Sequence, residues 1–478
     1  MLPSMISVAA YLYIIGVAVL LIWEDRDPTT TLAWLLVLIF LPVVGIPLYV
    51  LFGRDWRRRG RARRIAQEAD VASRRVMTPV RVANEEASEA RDPRLAGSDI
   101  GKVVRSVEEQ CDASPLPADS VQIIGDGQTM FDRLLDDIGA ARDSIHLQYY
   151  IWECDELTGR VIEALKRKLA EGVEVRLTYD LVGSLPYSKR QLRDLAAAAG
   201  RVEADKTHLG KLNYRNHRKI VVVDGEVGYT GGFNVGQEYV DGGRRYPSWR
   251  DTHLRITGPF VTELQRLFAA GWYEKTGESL FSERYFPVLA AVDPSRAPML
   301  QVEHSSVDSE WEAIRETFIL AITNADERVW ISLPYFVPDQ GLYDALIATA
   351  LSGVDVRLIM TGWPDKRIAY WAAMSYYERF LRAGGRVYQY TAGFYHPKTM
   401  SLDSTYCSIG TTNFDTRSLQ LHSEMTVWVF DRALTARQDA LFERDLESSR
   451  EVTLADVHAY SSVKRFRNSL MRLGAKLL

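Results

Sequence analysis

The segment His217-Arg218-Lys219-Ile220-Val221-Val222-Val223-Asp224 has a counterpart in His396-Pro397-Lys398-Thr399-Met400-Ser401-Leu402-Asp403. Both segments place a lysine two residues after a histidine and an aspartate five residues after the lysine. An asparagine follows ten residues later in each case, at Asn234 and Asn413. At average composition, one such four-residue match is expected by chance in on the order of one chain in a thousand. Two matches indicate a chain built from two related halves.

Other repeats extend around these segments. Gly172-Val-Glu-Val-Arg-Leu177 is matched by Gly353-Val-Asp-Val-Arg-Leu358, and the aromatic strand Ile145–Trp152 is matched by Val329–Phe336. Strand-like runs alternate with helical segments such as Asp155–Ala170. This alternation predicts a sheet covered by helices, an α/β fold, in two copies.

The spacing of the repeated polar residues has a structural meaning. Alternate residues of a strand share a face, so each histidine and its lysine point the same way. Asp224-Gly225 is typical of a two-residue hairpin turn, after which the returning strand brings Asn234 beside His217. Asp403-Ser404 has the same place in the second half. Each half therefore contributes an imidazole, an ammonium and an amide to one patch.

The aspartate of each segment is too distant to orient its own histidine. Asp224 lies seven residues from His217, up to about 23 Å along an extended strand. We expect it to serve the turn and salt-bridge architecture. Asp251 and Glu424 follow the two segments in corresponding places and are predicted to orient the histidines.

The composition excludes several classes of protein. The chain has 478 residues, enough for two or three domains, and its net charge of −4 does not suit a protein that binds nucleic acid through overall positive charge. Its three cysteines are far apart and form neither a disulfide framework nor a zinc site.

The N-terminal residues predict a membrane hairpin with spans of about 2–23 and 31–53. Both runs lack charged side chains, and a helix of about 22 residues rises roughly 33 Å, enough for a hydrocarbon core near 30 Å. The following run Arg54–Arg64 has seven arginines against one aspartate, which places it in the cytoplasm. A cleaved signal peptide fits less well, because no basic segment precedes the first run and a second run follows. A pair of buried core helices is disfavoured by the length of both runs.

These features divide the chain into four parts with a seam at Asp293-Pro294-Ser295. The predicted parts are a transmembrane hairpin (1–53), a basic juxtamembrane segment and linker (54–118), a first half (119–292) and a second half (293–478).

The end of the second half is a basic amphipathic segment, Val463–Leu478. It has five basic residues and no acidic one, and Phe466, Leu470, Leu473 and Leu477 fall at helical spacing. Two interpretations stay open: a helix lying on anionic lipid, or a helix packed on the domain with a solvated basic face.

Together these residues resemble a known family. The two His-x-Lys-x4-Asp segments look like the paired HKD motifs of the phospholipase D superfamily, and Arg26–Gly53 and Asn413–Ser418 are similar to segments of bacterial cardiolipin synthases. The resemblance implies two pseudo-symmetric phospholipase D-like α/β sandwich halves that share one active site, preceded by the two-helix transmembrane hairpin.

The resemblance also implies roles for the repeated residues. His217 is expected to be the nucleophile and His396 the acid and base, with no metal ion or cofactor. Lys219, Lys398, Asn234 and Asn413 would surround the phosphate oxygens, and Asp251 and Glu424 would fix the histidine tautomers. Asp224 and Asp403 complete the catalytic motifs.

The reaction implied is transfer of phosphatidyl from one phosphatidylglycerol to another, which gives cardiolipin and glycerol. Alternatives are hydrolysis of a lipid or nucleic-acid phosphodiester, use of another donor or alcohol, and a membrane scaffold without catalysis. The expected partners are phosphatidylglycerol and cardiolipin in an anionic membrane, with no nucleic acid; a homo-oligomer is compatible with the sequence. The expected location is the bacterial inner membrane, with the catalytic region in the cytoplasm.

Overall fold

The computed structural model of the chain describes residues 2–23, 28–49, 68, 71–78, 99–205, 214–289, 292–293, 296–306 and 309–475. They fall into two compact units, a helical unit within residues 1–58 and a larger unit that contains residues 99–205 and 215–475. The arginine-rich run 54–64 and most of the predicted linker lie outside the described residues.

The N-terminal unit is a set of apolar helices, α1 (Leu2–Trp23), α2 (Pro28–Phe40) and α3 (Pro42–Leu48). The hydroxyl of Tyr13 on α1 donates to the carbonyl of Leu38 on α2 at 3.0 Å. The predicted second run is broken at Leu41, because Pro42 begins a new helix there. None of the helices in the described part of the chain combines the length and the apolar character that crossing a bilayer requires.

The larger unit alternates strands and helices. Its further helices are α4 (Asp99–Cys111), α5 (Gly127–Ala140), α6 (Glu156–Ala170), α7 (Arg190–Ala197), α8 (Glu238–Asp241), α9 (Val261–Thr276), α10 (Ala313–Thr323), α11 (Gln340–Leu351), α12 (Arg367–Met374), α13 (Tyr377–Arg382), α14 (Thr416–Gln420), α15 (Arg432–Glu447), α16 (Leu454–His458) and α17 (Ser462–Ala475). Its strands are β1 (Leu116–Pro117), β2 (Ser120–Ile124), β3 (Ser144–Tyr149), β4 (Glu174–Asp180), β5 (Arg201–Asp205), β6 (Ile220–Val223), β7 (Val227–Gly231), β8 (Trp249–Arg250), β9 (His253–Thr257), β10 (Met299–Ser305), β11 (Arg328–Ser332), β12 (Phe336–Val337), β13 (Asp355–Thr361), β14 (Arg386–Tyr390), β15 (Phe394–Tyr395), β16 (Thr399–Leu402), β17 (Tyr406–Gly410), β18 (Phe414–Asp415), β19 (Glu424–Phe430) and β20 (Ser449–Val452).

The two large sheets repeat one topology. The first has the order β2-β9-β7-β6-β3-β4-β5, and the second has β10-β19-β17-β16-β11-β13-β14 with β1 and β20 added at its edges. In both sheets the last three of these shared strands run parallel to one another, and the other neighbouring pairs are antiparallel. The predicted α/β fold in two copies is confirmed.

The repeated polar segments lie at the central hairpins β6–β7 and β16–β17. Val223 pairs with Val227 and Leu402 with Tyr406, so each turn has three residues instead of the predicted two. Asp224 and Asp403 adopt positive φ angles of 54° and 49°, which Asp tolerates better than most residues.

A buried apolar core joins the two halves. Ile220 and Val222 on one face of β6 belong to a cluster that extends to Val302 and Val427 of the second sheet. Val221 and Val223 on the other face pack into a core of the first half alone. Because both faces of β6 are buried, the strand is a continuous apolar run.

The predicted linker is wrong for residues 99–118. The helix α4 buries Val104 and Val107, and β1 pairs with β10 of the second sheet. Gln301 of β10 donates its amide protons to the carbonyls of Val104 (3.0 Å) and Ala113 (2.7 Å). The valines of α4 lie on one face among charged residues, so the mean polarity of the segment conceals a face that packs on the second half.

Candidate active site

The backbone of each half presents a histidine to the other half. His217 lies just before β6, and its N–H donates to the carbonyl of Ser423 at 2.9 Å. The N–H of Ser423 donates in turn to the backbone carbonyl of Arg215 at 2.7 Å. The strand β15 pairs in parallel with β8, and the N–H of His396 donates to the carbonyl of Arg250 at 2.8 Å. Two short parallel pairings therefore bring residues of the two halves together.

Buried ion pairs support both pairings. Arg215 contacts Asp180 at 2.8 Å, and Arg250 contacts Asp445 at 3.0 Å. The hydroxyl of Tyr395, next to His396, donates to the same Asp445 carboxylate at 3.0 Å. Sequence reasoning missed these four charged residues, because each pair joins positions that no local pattern connects.

Each histidine contacts a carboxylate from the opposite half. Nδ1 of His217 lies 3.0 Å from Oε2 of Glu424, and Nδ1 of His396 lies 2.6 Å from Oδ2 of Asp251. Both carboxylates are completely buried. The structure thus brings the predicted orienting acids to the histidines, and it does so crosswise between the halves.

The electrostatics define the tautomers. Burial raises the cost of ionising Asp251 and Glu424, but Lys398 and His396 hold the pKa of Asp251 below its ordinary value, and His217 does the same for Glu424. An ionised carboxylate can only accept a hydrogen bond, so the contact with Glu424 places a proton on Nδ1 of His217. Nδ1 of His396 lies 2.6 Å from Asp251 and 2.9 Å from Nζ of Lys398, and the shorter contact, with the ionised acid, favours a proton there as well. The unprotonated nitrogen of each neutral ring is Nε2.

Both imidazoles are neutral near physiological pH. Burial lowers the pKa of His217 to about 3 against the attraction of Glu424. Burial, assisted by the charge of Lys398, lowers the pKa of His396 to about 4. A neutral ring has a lone pair available for attack.

The two lysines lie beside their histidines. Nζ of Lys219 donates to the carbonyl of His217 at 2.7 Å, and Nζ of Lys398 donates to the carbonyl of His396 at 2.5 Å. Burial is the main cause that lowers the pKa of Lys219 to about 7 and that of Lys398 to about 8. The charge of Lys398 contributes to the low pKa of Lys219, so the two motifs affect each other electrostatically.

The two predicted asparagines differ in their contacts. Oδ1 of Asn234 accepts the N–H of Ile151 at 3.1 Å, and its amide nitrogen donates to the hydroxyl of Tyr239 at 3.1 Å. Oδ1 of Asn413 is buried and has no hydrogen-bond partner among the described residues. Protein groups thus contact both the oxygen and the nitrogen of the Asn234 amide. The amide oxygen of Asn413 has no such contact among the described residues.

Asp224 and Asp403 lie away from the histidines, where their carboxylates accept backbone N–H groups. Asp224 accepts from residues 142, 143 and 144 at 2.8–2.9 Å. Asp403 accepts from residues 326, 327 and 328 at 2.8–3.0 Å. Each aspartate therefore fixes the chain that enters β3 or β11, and its place among the catalytic residues stays a prediction. The predicted salt-bridge role is replaced by backbone contacts, while the turn role is consistent with the structure.

Aromatic rings and a third imidazole complete the surroundings. Tyr150 lies edge-on to His217 with centroids 4.7 Å apart, and Trp249 lies edge-on to His396 at 5.5 Å. The ring of His422 is 5.9 Å from that of His217, and its Nδ1 is 3.6 Å from Oε1 of Glu424. Sequence reasoning assigned no role to His422. Its position in the sequence could have indicated one, because His422 precedes Glu424 by two residues, just as Trp249 precedes Asp251.

Known proteins match this chain over nearly its full length. The family model "Cardiolipin synthase, PLD-like domain" matches residues 134–272 and 318–446. The major cardiolipin synthase ClsA of Bacillus subtilis is 36% identical over 99% of both chains, and the cardiolipin synthase of Oceanobacillus iheyensis is 36% identical over 95% of both.

The chain belongs to the bacterial cardiolipin synthases of the phospholipase D superfamily. The predicted family and enzyme class, a phosphatidyltransferase, are confirmed. A second model, "Phospholipase_D-nuclease N-terminal", matches residues 9–54 of this cardiolipin synthase. Among solved structures, phosphatidylserine synthase of Haemophilus influenzae has the same fold, with a TM-score of 0.61 at 14% identity over 79% of this chain and all of its own.

Proposed function

We propose that this cardiolipin synthase transfers phosphatidyl from one phosphatidylglycerol to a hydroxyl of another, releasing glycerol. The crossed pairing of His217 with Glu424 and of His396 with Asp251 carries the proposal. A phosphodiester is anionic and repels an anionic nucleophile, whereas a neutral imidazole meets no such repulsion. Because Nδ1 of each imidazole contacts a carboxylate, Nε2 of each ring is the nitrogen available to react with the substrate.

In the first step His217 is the nucleophile. Its Nε2 attacks phosphorus, so that a P–N bond forms and the bond between phosphorus and the glycerol oxygen breaks. His396, protonated at both nitrogens, gives its Nε2 proton to the departing oxygen. Because a bound phosphate offsets the charge of Lys398, it raises the pKa of His396 from its low value in the free enzyme.

The second step reverses these roles. A hydroxyl of the second phosphatidylglycerol gives its proton to Nε2 of His396, its oxygen bonds to phosphorus, and the P–N bond to His217 breaks. Cardiolipin leaves, and both imidazoles regain their starting protonation states. If water takes the place of the second lipid, the product is phosphatidic acid.

Positive charge and amides stabilise the transition state. We assign Lys219 and Lys398 to the non-bridging oxygens, with Asn234 and Asn413 as further ligands. The lysine pKa values of about 7 and about 8 in the free enzyme support this role, since an anionic phosphate draws both groups to the charged form.

The N-terminal unit is proposed to be the two-span membrane anchor, with spans of about 2–23 and 31–53. The absence of charged side chains from the 22 residues of α1 supports this, as does the family model that matches residues 9–54. The arginine-rich run 54–64 would then place the catalytic unit in the cytoplasm at the bacterial inner membrane. A homo-oligomer stays a prediction.

The test uses the full chain in vesicles that contain phosphatidylglycerol labelled in its headgroup and, separately, in its phosphate. Cardiolipin and labelled glycerol in equal amounts support transfer. Phosphatidic acid alone would show hydrolysis, and no product from correctly folded protein would favour a scaffold. Quenching with an alkaline denaturant during turnover preserves the acid-labile P–N bond and should trap phosphate label on His217. Label on His396 instead would reverse the assigned roles.

A further inference from the structure

The face by which the helix α17 packs on the larger unit includes basic and polar side chains. The guanidinium of Arg467 lies 4.3 Å from the ring centre of Trp371 on α12, and that of Arg472 lies 5.4 Å from the ring centre of Tyr376. Asn468, between them, is only 2% exposed. Basic and polar side chains, together with Met471 packed against Val337 and Ala372, therefore hold α17 to the protein.

Apart from Met471, which packs against Val337 and Ala372, the large apolar side chains described on α17 point away from the protein. Val463, Phe466, Leu470 and Leu473 are 79%, 71%, 46% and 75% exposed. Their spacing of three, four and three residues places them on one stripe of the helix. This apolar ridge reverses the usual arrangement of a helix packed on a domain.

Positive charge surrounds the apolar ridge. Lys464, Arg465, Arg467 and Arg472 lie on the same helix, and residues 462–475 include no acidic side chain. Arg465 and Arg472 are exposed, while Lys464 and Arg467 are half-buried. Apolar side chains bordered by cations, two of them exposed, suit a helix that enters the surface of a bilayer of anionic lipid.

We propose that α17 docks the larger unit on an anionic lipid surface. The apolar ridge enters between the acyl chains, and the arginines at its base bind lipid phosphates. A second copy of the chain is a poorer occupant, because pairing two ridges would bring two sets of four cations together. The proposal goes beyond catalysis, since it concerns the binding of the larger unit to lipid and holds for an inactive enzyme.

The experiment places a fluorescent probe on the ridge of the full chain. Cys154 is replaced by serine, which leaves the buried Cys111 and Cys407, and Phe466→Cys or Leu473→Cys is labelled with an environment-sensitive dye. The protein is reconstituted into vesicles of phosphatidylglycerol and phosphatidylcholine that contain lipid spin-labelled high on its acyl chain. The matched control is Val288→Cys, an apolar residue of the same unit that is 85% exposed.

We expect strong quenching and a blue shift at positions 466 and 473 and neither at position 288. Absence of quenching at both ridge positions would overturn the proposal. Disulfide cross-linking of the unlabelled Leu473→Cys variant between copies in the same vesicles would overturn it as well. Both ridge positions are exposed, so these substitutions do not depend on core packing.

Two further variants separate the charge of the helix from catalysis. Arg465→Glu with Arg472→Glu should reduce quenching several-fold, with the corresponding glutamine variant in between. Equal quenching in all three proteins would overturn the role of the cations. His217→Ala should be quenched like the wild type while making no cardiolipin, so failure of the docking proposal and failure of the proposed function give different results.

Discussion

The two halves of the larger unit hold their catalytic histidines in different ways. The carboxylate of Glu424, which contacts His217, also accepts the hydroxyl proton of Thr411. At the position equivalent to Thr411 the first half has Gly232, and a Cβ there would lie 1.8 Å from Oδ1 of Asp251. The longer side chain of Glu424 is therefore held by the hydroxyl of Thr411. The shorter side chain of Asp251 lies so close to residue 232 that only glycine fits there.

The rings around the two histidines differ as well. His396 has Trp249 at 5.5 Å and Phe394 at 5.6 Å. His217 has Tyr150 at 4.7 Å and a second imidazole, His422, at 5.9 Å. One backbone plan thus supplies two environments, and duplicated positions need not have duplicated roles. A nucleophile and an acid are a division of labour that such a pair can support.

Removal of either imidazole is expected to have the largest effect. His396→Ala should reduce cardiolipin synthesis about 10²- to 10⁴-fold through loss of acid and base catalysis, and His217→Ala should reduce it further, because no covalent intermediate can form. The measurement is initial rates in vesicles, combined with trapping of phosphate label on the protein. Wild-type rates in either variant would contradict the two-histidine mechanism.

The lysines should give the next largest effect. Lys219→Met and Lys398→Met should each lower kcat about 10²- to 10³-fold, because each removes a cation from the phosphate site. Since burial lowers the lysine pKa values to about 7 and about 8, kcat/KM of the wild type should fall as the pH rises through this range. The alkaline limb of kcat should lie at higher pH, because bound phosphate raises both pKa values. Identical limbs for kcat and kcat/KM would contradict this coupling.

Substitutions of the two orienting acids should distinguish the halves more sharply than substitutions of the lysines. Glu424→Gln and Asp251→Asn should each reduce kcat about 10²-fold, because the amide no longer stabilises a charged imidazole. Asp251→Glu should be worse than Glu424→Asp, because Gly232 leaves no room for another methylene. Thr411→Val is the control that removes only the hydroxyl, and we expect a smaller loss. Equal effects of the two length exchanges would show that the observed asymmetry has no consequence.

The motif aspartates should affect stability and leave catalysis nearly unchanged. Asp224→Asn and Asp403→Asn each weaken three contacts to backbone N–H groups. We expect about 1–3 kcal/mol less free energy of unfolding in each case. Thermal unfolding in detergent measures the loss, and rates are compared per folded molecule. A large fall in kcat with normal stability would place these residues in the catalytic group.

Local patterns predicted the parts of the site that depend on strand periodicity. The spacing of His217, Lys219 and Asn234 follows from the alternation of a strand and the return of a hairpin. Asp251 and Glu424 were nominated because they follow the two repeated segments in corresponding places. Their crossed pairing was not predictable, because it depends on β8 meeting β15 and on residue 216 meeting residue 423. These contacts join chain segments that are far apart in sequence.

Tertiary packing determines two features that sequence periodicity did not predict, the docking of α4 and the direction of the apolar face of α17. The valines of α4 are separated by charged residues, so average composition predicted a linker where a helix packs on the second half. The amphipathic pattern of α17 predicted a helix with an apolar face but did not give the direction of that face. That direction depends on Trp371 and Tyr376, which bind the basic side of the helix.

The smallest predicted effect concerns the third imidazole. Both ring nitrogens of His422 and Oε1 of Glu424 lack a hydrogen-bond partner among the described residues, although Nδ1 and Oε1 lie only 3.6 Å apart. His217 is surrounded by the charges of Glu424 and Lys219 and by His422; burial is the main cause of its low pKa, and His422 lowers it further. His422→Asn should therefore move the acid limb of kcat/KM to higher pH and change kcat only a few-fold.

The comparison of the halves supplies the control for His422. Trp249 occupies the equivalent place beside His396, so Trp249→Phe removes bulk there without removing a titratable group. It should alter kcat modestly and leave the acid limb unmoved, and His422→Phe should move that limb as His422→Asn does. An unmoved limb in both His422 variants would mean that His422 only fills space. A moved limb would make the half that holds His217 the more sensitive to pH, because its carboxylate then serves two imidazoles while Asp251 serves one.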